Sequence, residues 1–472
     1  MSGYSDFLSA KDRHPTSFGM PEVPDLPRAL KPFQRAVVEW ALRRGRAALF
    51  EGTGLGKTLQ QLAWARAVAD EEDAPVLVLT PLAVAEQTVA EADKFDVPGC
   101  CYAADRYSVR GDIVVTNYER FERFDPREFA GIVLDESGLI KSESGHYRRV
   151  LTEACAAMRW RLCCTATPAP NDYAELGQHA EFLGVMTGAE MLATFFVHDG
   201  GIRAVDDEGG SDGWRLKRHA VTDFWRWVAS WSVVVRHPRD LGFDDPSYDL
   251  PPLEVEEVIV RASAPPPSGM LFQVEALALS DRIRARRDTL GERLAAAAAL
   301  VRMEPREPWL IWCNLNAEAD GIERMLSGIG AMQVSGSQPV ETKVERLLGF
   351  RGGAPLILVS KPSIAGHGMN WQHCSRMVFV GLTDSFEQVY QAMRRCWRFG
   401  QDRSVKVYFV SADTEGAVLS NVRRKERAYD RMFDAMLVHM SDFQRESVLG
   451  RGPEFSSYEP EMPMEVPGWL SA

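Results

Sequence analysis

Short apolar runs that alternate with amphipathic stretches restrict the folds open to this chain of 472 residues. The first series of runs comprises Ala47–Phe50, Val76–Thr80, Asp112–Thr116, Gly131–Asp135 and Arg161–Thr165. The second series comprises Trp309–Cys313, Met332–Val334, Leu356–Ser360, Met377–Gly381 and Val405–Val410. Runs that are apolar almost throughout are typical of parallel strands covered on both faces. The pattern therefore predicts an α/β fold with two doubly wound parallel sheets.

A glycine-rich segment, EGTGLGKTLQ (51–60), directly follows the first apolar run. Its glycines can adopt backbone angles that point successive N–H groups at phosphate oxygens, at a helix N-terminus that already favours anions. Lys57 would reach the β- and γ-phosphates of a nucleotide, and the Thr58 hydroxyl would bind magnesium. The alternative is a glycine turn before an ordinary helix. The predicted nucleotide-binding loop comprises Gly52, Thr53, Gly54, Leu55, Gly56, Lys57 and Thr58.

An acidic pair ends the fourth apolar run, in GIVLDESGLIKS (131–142). Asp135 is predicted to hold the magnesium ion, directly or through water, and Glu136 to orient and activate the attacking water. Asp-Glu is common on protein surfaces, but here it ends an apolar strand downstream of a phosphate loop. The sequence therefore predicts an enzyme that uses ATP and Mg²⁺.

Two segments near the predicted phosphate loop carry further candidate residues. In LKPFQRAVVEW (30–40), the amide of Gln34 can pair with both a donor and an acceptor of adenine. An exposed helix residue is the alternative interpretation of Gln34. In RLCCTATP (161–168), the hydroxyls of Thr165 and Thr167 lie at a strand end, where they could sense the acidic pair or contact a phosphate backbone.

A basic segment in the second half, FEQVYQAMRRCWRFGQ (386–401), has no phosphate loop of its own nearby. Arg395 and Arg398 are three residues apart on one helical face, and Gln391 lies one turn earlier. Such arginines could reach across a cleft to the γ-phosphate, a contribution of about 10³–10⁵ in rate for this chemistry. The alternative is a solvated basic helix face.

Composition and charge exclude several classes of protein. The net charge of −12 argues against a protein that coats nucleic acid with its whole surface, although a local basic groove stays possible. No apolar run approaches the roughly 18 residues of a membrane span, and no signal-peptide pattern begins the chain. The eight cysteines form no C-x-x-C motif, which favours a reducing compartment. We therefore expect a cytoplasmic protein without membrane contact.

Shifts in composition predict five segments. They are a flexible N-terminal arm (1–28), an ATP-binding domain (29–247), a linker and helical segment (248–300), a second α/β domain (301–441) and a disordered tail rich in Pro and Glu (442–472). The alanine- and arginine-rich, lysine-poor usage suggests a bacterial or phage genome, and hence the cytoplasm of a bacterial cell or a phage-infected host.

Six motifs follow one another in a recognisable order. They are LKPFQRAVVEW (30–40), GLGKTLQ (54–60), DESGLIKS (135–142), TATPAPNDYAEL (165–176), AGHGMNW (365–371) and QAMRRCWRFGQ (391–401). Together they resemble superfamily 2 helicase-like ATPases, and within these the Swi/Snf-type branch of duplex DNA translocases. The Pro-Asn-x-x-x-Glu-Leu segment and the Arg-Phe-Gly-Gln ending distinguish this branch from the DEAD-box RNA helicases.

The resemblance implies two RecA-like domains with ATP in the cleft between them. It implies that Gln34 reads adenine, that Gln391 helps to bind the nucleotide, and that Thr58 and Asp135 hold Mg²⁺. Catalysis would use Lys57, Glu136, Arg395 and Arg398. The residues implied to line or couple to the nucleic-acid track are Thr80, Thr116, Thr165, Thr167, Gly366 and Asn370.

Several positions depart from the family pattern. Ser137-Gly138 replaces the usual Gly-His or Ala-His after the acidic pair, and Trp397 replaces a histidine. Arg394 and Ala365 stand where glycines are usual. No catalytic group is lost, so we expect ATP hydrolysis to be retained and its coupling to DNA to be altered.

Three functions compete at this stage. The first is a motor, acting as a monomer, that hydrolyses ATP to ADP and phosphate while it moves along double-stranded DNA. The second is a helicase that separates DNA or RNA strands. The third is a nucleotide-gated scaffold of a replication or transcription complex, with a protein partner at the C-terminal tail.

Overall fold

The computed structural model describes residues 18–81, 84–141, 146–169, 172–198, 214–262, 286–366, 369–381, 385–413 and 416–450. Two parallel sheets organise these residues, one in an N-lobe (18–248) and one in a C-lobe (253–412). The predicted fold class, α/β with two doubly wound parallel sheets, is confirmed. A long helix at the end of the described chain returns from the C-lobe to the N-lobe.

The N-lobe contains a seven-stranded sheet of order β3-β4-β2-β5-β6-β1-β9, in which all neighbouring strands are parallel. A separate antiparallel pair, β7 and β8, lies outside this sheet. The elements are α1 (Pro32–Arg44), β1 (Arg46–Glu51), α2 (Lys57–Glu72), β2 (Val76–Thr80), α3 (Ala85–Lys94), β3 (Cys100–Tyr102), β4 (Ile113–Asn117), β5 (Gly131–Asp135), α4 (His146–Ala154), β6 (Trp160–Thr165), α5 (Leu176–Leu183), α6 (Gly188–Phe195), β7 (Phe196–His198), β8 (Trp214–Leu216), α7 (Val221–Trp231) and β9 (Ser232–Val235).

The central strands of this sheet are apolar because helices cover both of its faces. In β2, Val76 and Val78 point into one buried core, and Leu77 and Leu79 point into another on the opposite face. All five residues of β2 are buried. This alternation between two cores explains the uninterrupted apolar runs in the sequence.

The C-lobe contains a six-stranded sheet of order β10-β15-β14-β11-β13-β12, again parallel throughout. One face of β11, with Leu310 and Trp312, belongs to the same hydrophobic core as one face of the N-lobe sheet. The two lobes therefore share a continuous buried cluster. The elements are β10 (Leu253–Val260), α8 (Leu290–Met303), β11 (Trp309–Trp312), α9 (Asn316–Leu326), β12 (Ala331–Gln333), α10 (Val340–Arg351), β13 (Ile357–Ser360), α11 (Pro362–Ala365), β14 (Arg376–Phe379), α12 (Phe386–Met393), β15 (Val405–Ala412) and α13 (Gly416–Val448).

Helix α13 connects the two lobes. Its Tyr429 hydroxyl donates to the Ala166 carbonyl oxygen of the N-lobe (2.6 Å). Farther along, Gln444 Oε1 accepts from Val234 N (2.7 Å), and Gln444 Nε2 donates to the Val234 carbonyl oxygen (3.2 Å). Because β9 is an edge strand, this side-chain amide satisfies backbone groups that would otherwise lack a strand partner.

Three strands of the two parallel sheets were not predicted, and one of them corrects a predicted boundary. The segment 248–300, predicted as a linker and a helix, contains the strand β10, which pairs with β15 over its whole length. Its sequence LEVEEVIV mixes acidic and apolar residues because it is an edge strand with exposed side chains, so it shows no continuous apolar run. The short strands β3 and β9 were also missed.

Both predicted flexible ends are more ordered than expected where the structure describes them. In the predicted arm, Met20 N donates to the Leu42 carbonyl oxygen (3.1 Å), and Met20 and Leu26 are buried against the N-lobe. The predicted tail begins inside α13, which continues to Val448 because this end packs on the N-lobe. Residues 1–17 and 451–472 lie outside the described residues.

Among the described residues, no helix is both long enough and apolar enough to cross a membrane.

Candidate active site

The glycine-rich segment forms a tight loop between β1 and α2. Gly54 and Gly56 have φ angles of 94° and 84°, in the left-handed region that only glycine adopts without strain. Gly52 N donates to the Val235 carbonyl oxygen (2.8 Å), which fixes the start of the loop to the edge strand β9. Helix α2 then begins at Lys57 and continues with Thr58, so both side chains start from its first turn.

Within this loop, Lys57 Nζ donates to the carbonyl oxygens of Glu51 (2.8 Å) and Gly52 (3.1 Å). The lysine therefore lies folded over the loop, with acceptors that phosphate oxygens could replace. The Thr53 hydroxyl is buried and has no hydrogen-bond partner among the described residues. Thr53 and Leu55 otherwise complete the loop, and the Leu55 side chain is buried.

The acidic pair lies at the carboxyl end of β5. Asp135 Oδ1 accepts from Gln61 Nε2 (2.7 Å), and the Tyr118 hydroxyl donates to the Asp135 carbonyl oxygen (2.7 Å). Glu136 has a φ of 51°, a strained conformation for a residue with a side chain, and such strain is concentrated at functional sites. The strand end and these two hydrogen bonds hold the carboxyl groups beside α2.

Burial dominates the electrostatics of both acids. It raises the pKa of Asp135 from its usual 3.8 to about 6, an effect increased by Glu136 and opposed by the Gln61 hydrogen bond and by Lys57. Burial also raises the pKa of Glu136, against the opposing influence of Lys57, Arg395 and Arg398. The two acids therefore lie in the electrostatic field of cations from both lobes.

Both predicted arginines face the cleft. Arg395 is 3% exposed, Nε donates to the Gln391 carbonyl oxygen (2.8 Å), and Nη2 donates to Gln391 Oε1 (2.9 Å). Burial and Arg398 lower the pKa of Arg395 to about 10, while Glu136 and Asp135 oppose that shift. Arg395 remains charged at neutral pH, and Gln391 orients it from the preceding turn.

The second arginine packs directly against the phosphate loop. A Cβ placed on Gly54 would lie 3.5 Å from Arg398 Cβ and 2.8 Å from Phe399 N. Arg398 Nη1 donates to the Met369 carbonyl oxygen (3.3 Å), and Arg398 Nε has no hydrogen-bond partner among the described residues. The structure thus brings Arg398 of the C-lobe to the glycine-rich loop of the N-lobe.

Gln34 also lies at the loop. Its Oε1 accepts from Lys31 N (2.8 Å), and its Nε2 donates to the Leu55 carbonyl oxygen (2.7 Å). The amide keeps one hydrogen and one lone pair for a further partner such as adenine. It is buried rather than an exposed helix residue.

An aromatic cluster that sequence reasoning missed lies beside this glutamine. Tyr248 stacks on Phe399 of the C-lobe with ring centroids 4.4 Å apart, and meets Phe33 edge-on at 5.3 Å. The cluster joins the lobes next to the loop. No local pattern indicated it, since the three residues belong to distant segments.

The six predicted track residues divide into two groups. Thr80, Thr116 and Thr165 lie at the carboxyl ends of β2, β4 and β6 in the N-lobe sheet, and Thr80 Oγ1 donates to the Thr116 carbonyl oxygen (3.4 Å). Thr167 N donates to Thr165 Oγ1 (3.1 Å). The two other residues, Gly366 and Asn370, belong to the C-lobe loop after α11.

Two of these track residues carry polar atoms without a hydrogen-bond partner among the described residues. They are the buried atoms Thr116 Oγ1 and Asn370 Oδ1. Buried polar groups in proteins are nearly always satisfied, so each of the two is available to a ligand. Asn370 follows Met369, whose carbonyl oxygen also accepts from Arg395 Nη1 (3.4 Å).

Ser137 and Gly138, which depart from the family pattern after the acidic pair, each contact a residue from a distant segment. Ser137 Oγ lies 3.1 Å from Nε2 of the buried His179, which comes from α5. Gly138 lies close to Glu387 of the C-lobe. A Cβ on Gly138 would be 3.3 Å from Glu387 Oε1. Neither His179 nor Glu387 was predicted, since each depends on a contact between distant segments.

These residues fit a nucleotide with magnesium. The left-handed glycines, the unpartnered Thr53 hydroxyl and the ammonium group of Lys57 form a cradle for phosphates. Mg²⁺ prefers one or two carboxylates completed by phosphates and water, and Asp135 with the Thr58 hydroxyl supplies hard oxygen ligands of that kind. In the part of the chain that the structure describes, no cluster of three or more metal-ligating side chains competes with this site.

Comparisons with known proteins agree with this geometry. The description "SNF2-related domain" matches residues 33–195, and "Helicase conserved C-terminal domain" matches residues 292–400. The chain is 23% identical over 429 residues to the DNA annealing helicase and endonuclease ZRANB3 of Mus musculus, and 22% identical over 428 residues to that of Bos taurus. The alignments cover 81% and 83% of this chain but only 38% and 39% of the relatives.

The two sheets, the phosphate loop and these matches together define the class of protein. The chain has two RecA-like domains, and the two matched domains are those of helicase superfamily 2 ATPases of the Swi/Snf type.

Proposed function

We propose that this chain is a DNA-dependent motor that hydrolyses ATP to ADP and phosphate while it moves along duplex DNA. The observation that carries the proposal is the contact of Arg398 and Phe399 with the phosphate loop across the cleft. A site assembled from two lobes is complete only when they close. Nucleotide turnover can therefore be coupled to a change in the distance between two DNA-binding surfaces.

The N-lobe supplies the groups that bind ATP and prepare its hydrolysis. Glycine N–H groups and Lys57 hold the phosphates, and the remaining amide hydrogen and lone pair of Gln34 select adenine. Glu136 orients the attacking water and accepts its proton. Asp135 and Thr58 hold Mg²⁺, which when bound neutralises charge on the phosphates.

The C-lobe supplies positive charge where negative charge develops. Arg395 and Arg398 stabilise the transferred phosphoryl group, and Gln391 keeps Arg395 in place through two hydrogen bonds. When the lobes separate, the two guanidinium groups leave the phosphates and turnover stops. The chain works as a monomer in this proposal, since both halves of the site belong to one polypeptide.

The DNA track uses phosphate contacts rather than base contacts, because a motor must move over any sequence. Thr80, Thr116 and Thr165 contribute from the N-lobe, and Gly366 and Asn370 contribute from the C-lobe. Such binding weakens as the salt concentration rises.

The decisive experiment measures ATP turnover with duplex DNA, single-stranded DNA and RNA as competing activators. We expect duplex DNA to stimulate turnover most, and Lys57→Ala to abolish the stimulated turnover while leaving the thermal melting curve unchanged. Lys94→Ala, a basic residue of the same lobe outside the site, is the matched control and keeps full activity. Undiminished turnover in Lys57→Ala would overturn the proposal.

A second candidate is DNA strand annealing driven by the same motor. The similarity to two proteins described as DNA annealing helicases favours it over the separation of strands. Triplex displacement, annealing of complementary strands and displacement of a duplexed strand, measured in parallel, distinguish the activities. A nucleotide-gated scaffold with a partner at the C-terminal tail gains support only if no nucleic acid stimulates turnover.

A further inference from the structure

A hydrogen bond crosses the cleft between Glu387 and Thr167. The Thr167 hydroxyl donates to Glu387 Oε1 (2.8 Å), and Thr167 is fully buried. Glu387 belongs to the first turn of α12, the C-lobe helix that leads to the two arginines. Thr167 lies two residues after the end of β6 and its N–H donates to Thr165 Oγ1, and both threonines are predicted track residues. The bond therefore joins the helix that precedes the two arginines to the strand end near the proposed DNA track.

Glu387 approaches the backbone of the N-lobe closely at Gly138. A Cβ on Gly138 would lie 3.3 Å from Glu387 Oε1, 3.4 Å from Thr165 Oγ1 and 3.5 Å from the Thr167 carbonyl oxygen. Gly138 stands two residues after Glu136. A side chain at position 138 would therefore require the Glu387 carboxylate to shift by a few tenths of an ångström.

Glu387 also acts on the reaction centre electrostatically. Its negative charge contributes to the raised pKa of Glu136, in the opposite direction to Arg395 and Arg398. Glu387 and Gln391 lie one turn apart in α12, and Arg395 follows two residues after the helix ends at Met393. This segment of the C-lobe therefore presents both an acid and a cation to the acidic pair.

We propose that Glu387 is a positioning residue that couples DNA binding to ATP hydrolysis through its hydrogen bond with Thr167. When DNA contacts the strand ends near Thr165, this bond holds α12 in the closed position, and the arginines stay aligned with the phosphates. The inference rests on the proposed DNA-stimulated ATPase activity.

The test compares Glu387→Ala, Thr167→Val and the double variant in ATP turnover with and without duplex DNA. Each single variant is expected to lower the ratio of stimulated to unstimulated turnover about tenfold or more, the effect of losing a hydrogen bond to a charged group. The double variant is expected to lose no more than either single variant, because both remove the same bond. Gln388→Ala, the next residue of the helix, is the matched control.

Glu387→Gln separates positioning from a merely structural role. Its amide oxygen still accepts from Thr167, so most of the DNA stimulation is expected to remain. Melting curves of all variants check that they fold.

The outcomes are distinguishable. Full DNA stimulation in Glu387→Ala, losses that multiply in the double variant, or a loss of stimulation in Glu387→Gln as large as that in Glu387→Ala would each overturn this inference while leaving the ATPase proposal intact. A wild-type protein that no DNA stimulates would overturn both.

Discussion

The two lobes contain the same kind of parallel sheet but bring opposite charges to the cleft. In the N-lobe, the acids Asp135 and Glu136 lie at the end of β5 beside the glycine-rich loop. The C-lobe contributes the cations Arg395 and Arg398. Similar architecture therefore does not imply similar chemistry. The lobes differ in the residues that come after their strands, and only the combination forms a complete site.

A second contrast concerns how each lobe buries a glutamate. Glu51 in the N-lobe is fully buried, and its Oε2 accepts from Gln60 Nε2 (2.8 Å), but Oε1 has no hydrogen-bond partner among the described residues. Glu318 in the C-lobe is fully buried beside Arg293, whose Nη1 donates to Oε1 (2.6 Å). The buried acid of the C-lobe is thus paired with a cation, and that of the N-lobe is left poorly satisfied next to the phosphate loop.

The largest expected effect tests the division of charge between the lobes. Arg398→Ala should lower kcat about 10³-fold or more, because the cation proposed to stabilise the transferred phosphoryl group is lost. Nucleotide affinity should change little, since the phosphate loop is intact. Steady-state ATP turnover together with binding of a fluorescent nucleotide measures both quantities.

The matched control for this prediction is Arg403→Ala. Arg403 also belongs to the C-lobe, but it forms an exposed ion pair with Glu307 (2.9 Å). Equal losses of kcat in the two variants would contradict the division of charge and point to a general effect on the C-lobe.

The next effect concerns the stability of the C-lobe. Glu318→Gln breaks the buried pair with Arg293 and disturbs two backbone donors, Asn314 N (2.8 Å) and Leu315 N (2.9 Å), that bind Glu318 Oε2. We expect a loss of about 3–5 kcal/mol in the free energy of unfolding, the range for breaking a buried ion pair. Denaturant titration measures it.

For comparison, Glu307→Gln removes one partner of an exposed pair and should cost about 1 kcal/mol or less. A Glu318→Gln variant as stable as Glu307→Gln would mean that the C-lobe does not depend on its buried pair.

The smallest effect depends on pH and concerns the N-lobe. Burial raises the pKa of Glu51 from its usual 4.5 to about 7. Between these values the unfolded chain gives up the proton first, so rising pH destabilises the folded state relative to the unfolded one. Glu51→Gln has no charge to bury, so its Tm should exceed that of the wild type at pH 8, by a margin that shrinks towards pH 4.5.

Thermal melts across this pH range test the expectation, with Glu71→Gln on the exposed side of α2 as the control. A difference in Tm that stays constant with pH would show that burial does not raise the pKa of Glu51 above its value in the unfolded chain.

Local patterns predicted most of the fold and the polar groups of the N-lobe. The phosphate loop and the acidic pair were predictable because neighbouring residues in one segment form each of them. The strand β10 was missed because an edge strand lacks a continuous apolar run, and Glu387 was missed because its partner Thr167 is 220 residues away. The Tyr248–Phe399 stack was missed for the same reason.

The amino-acid sequence by itself determined the two α/β lobes and the chemical character of the loop, the acids and the arginines, because these depend on periodicity and on short motifs. Only the tertiary structure decided that Arg398 lies against Gly54, that Glu387 occupies the space left by Gly138, and that α13 returns to the N-lobe. The physical reason is that such contacts depend on the packing of distant segments around a shared core. No local pattern contains that information.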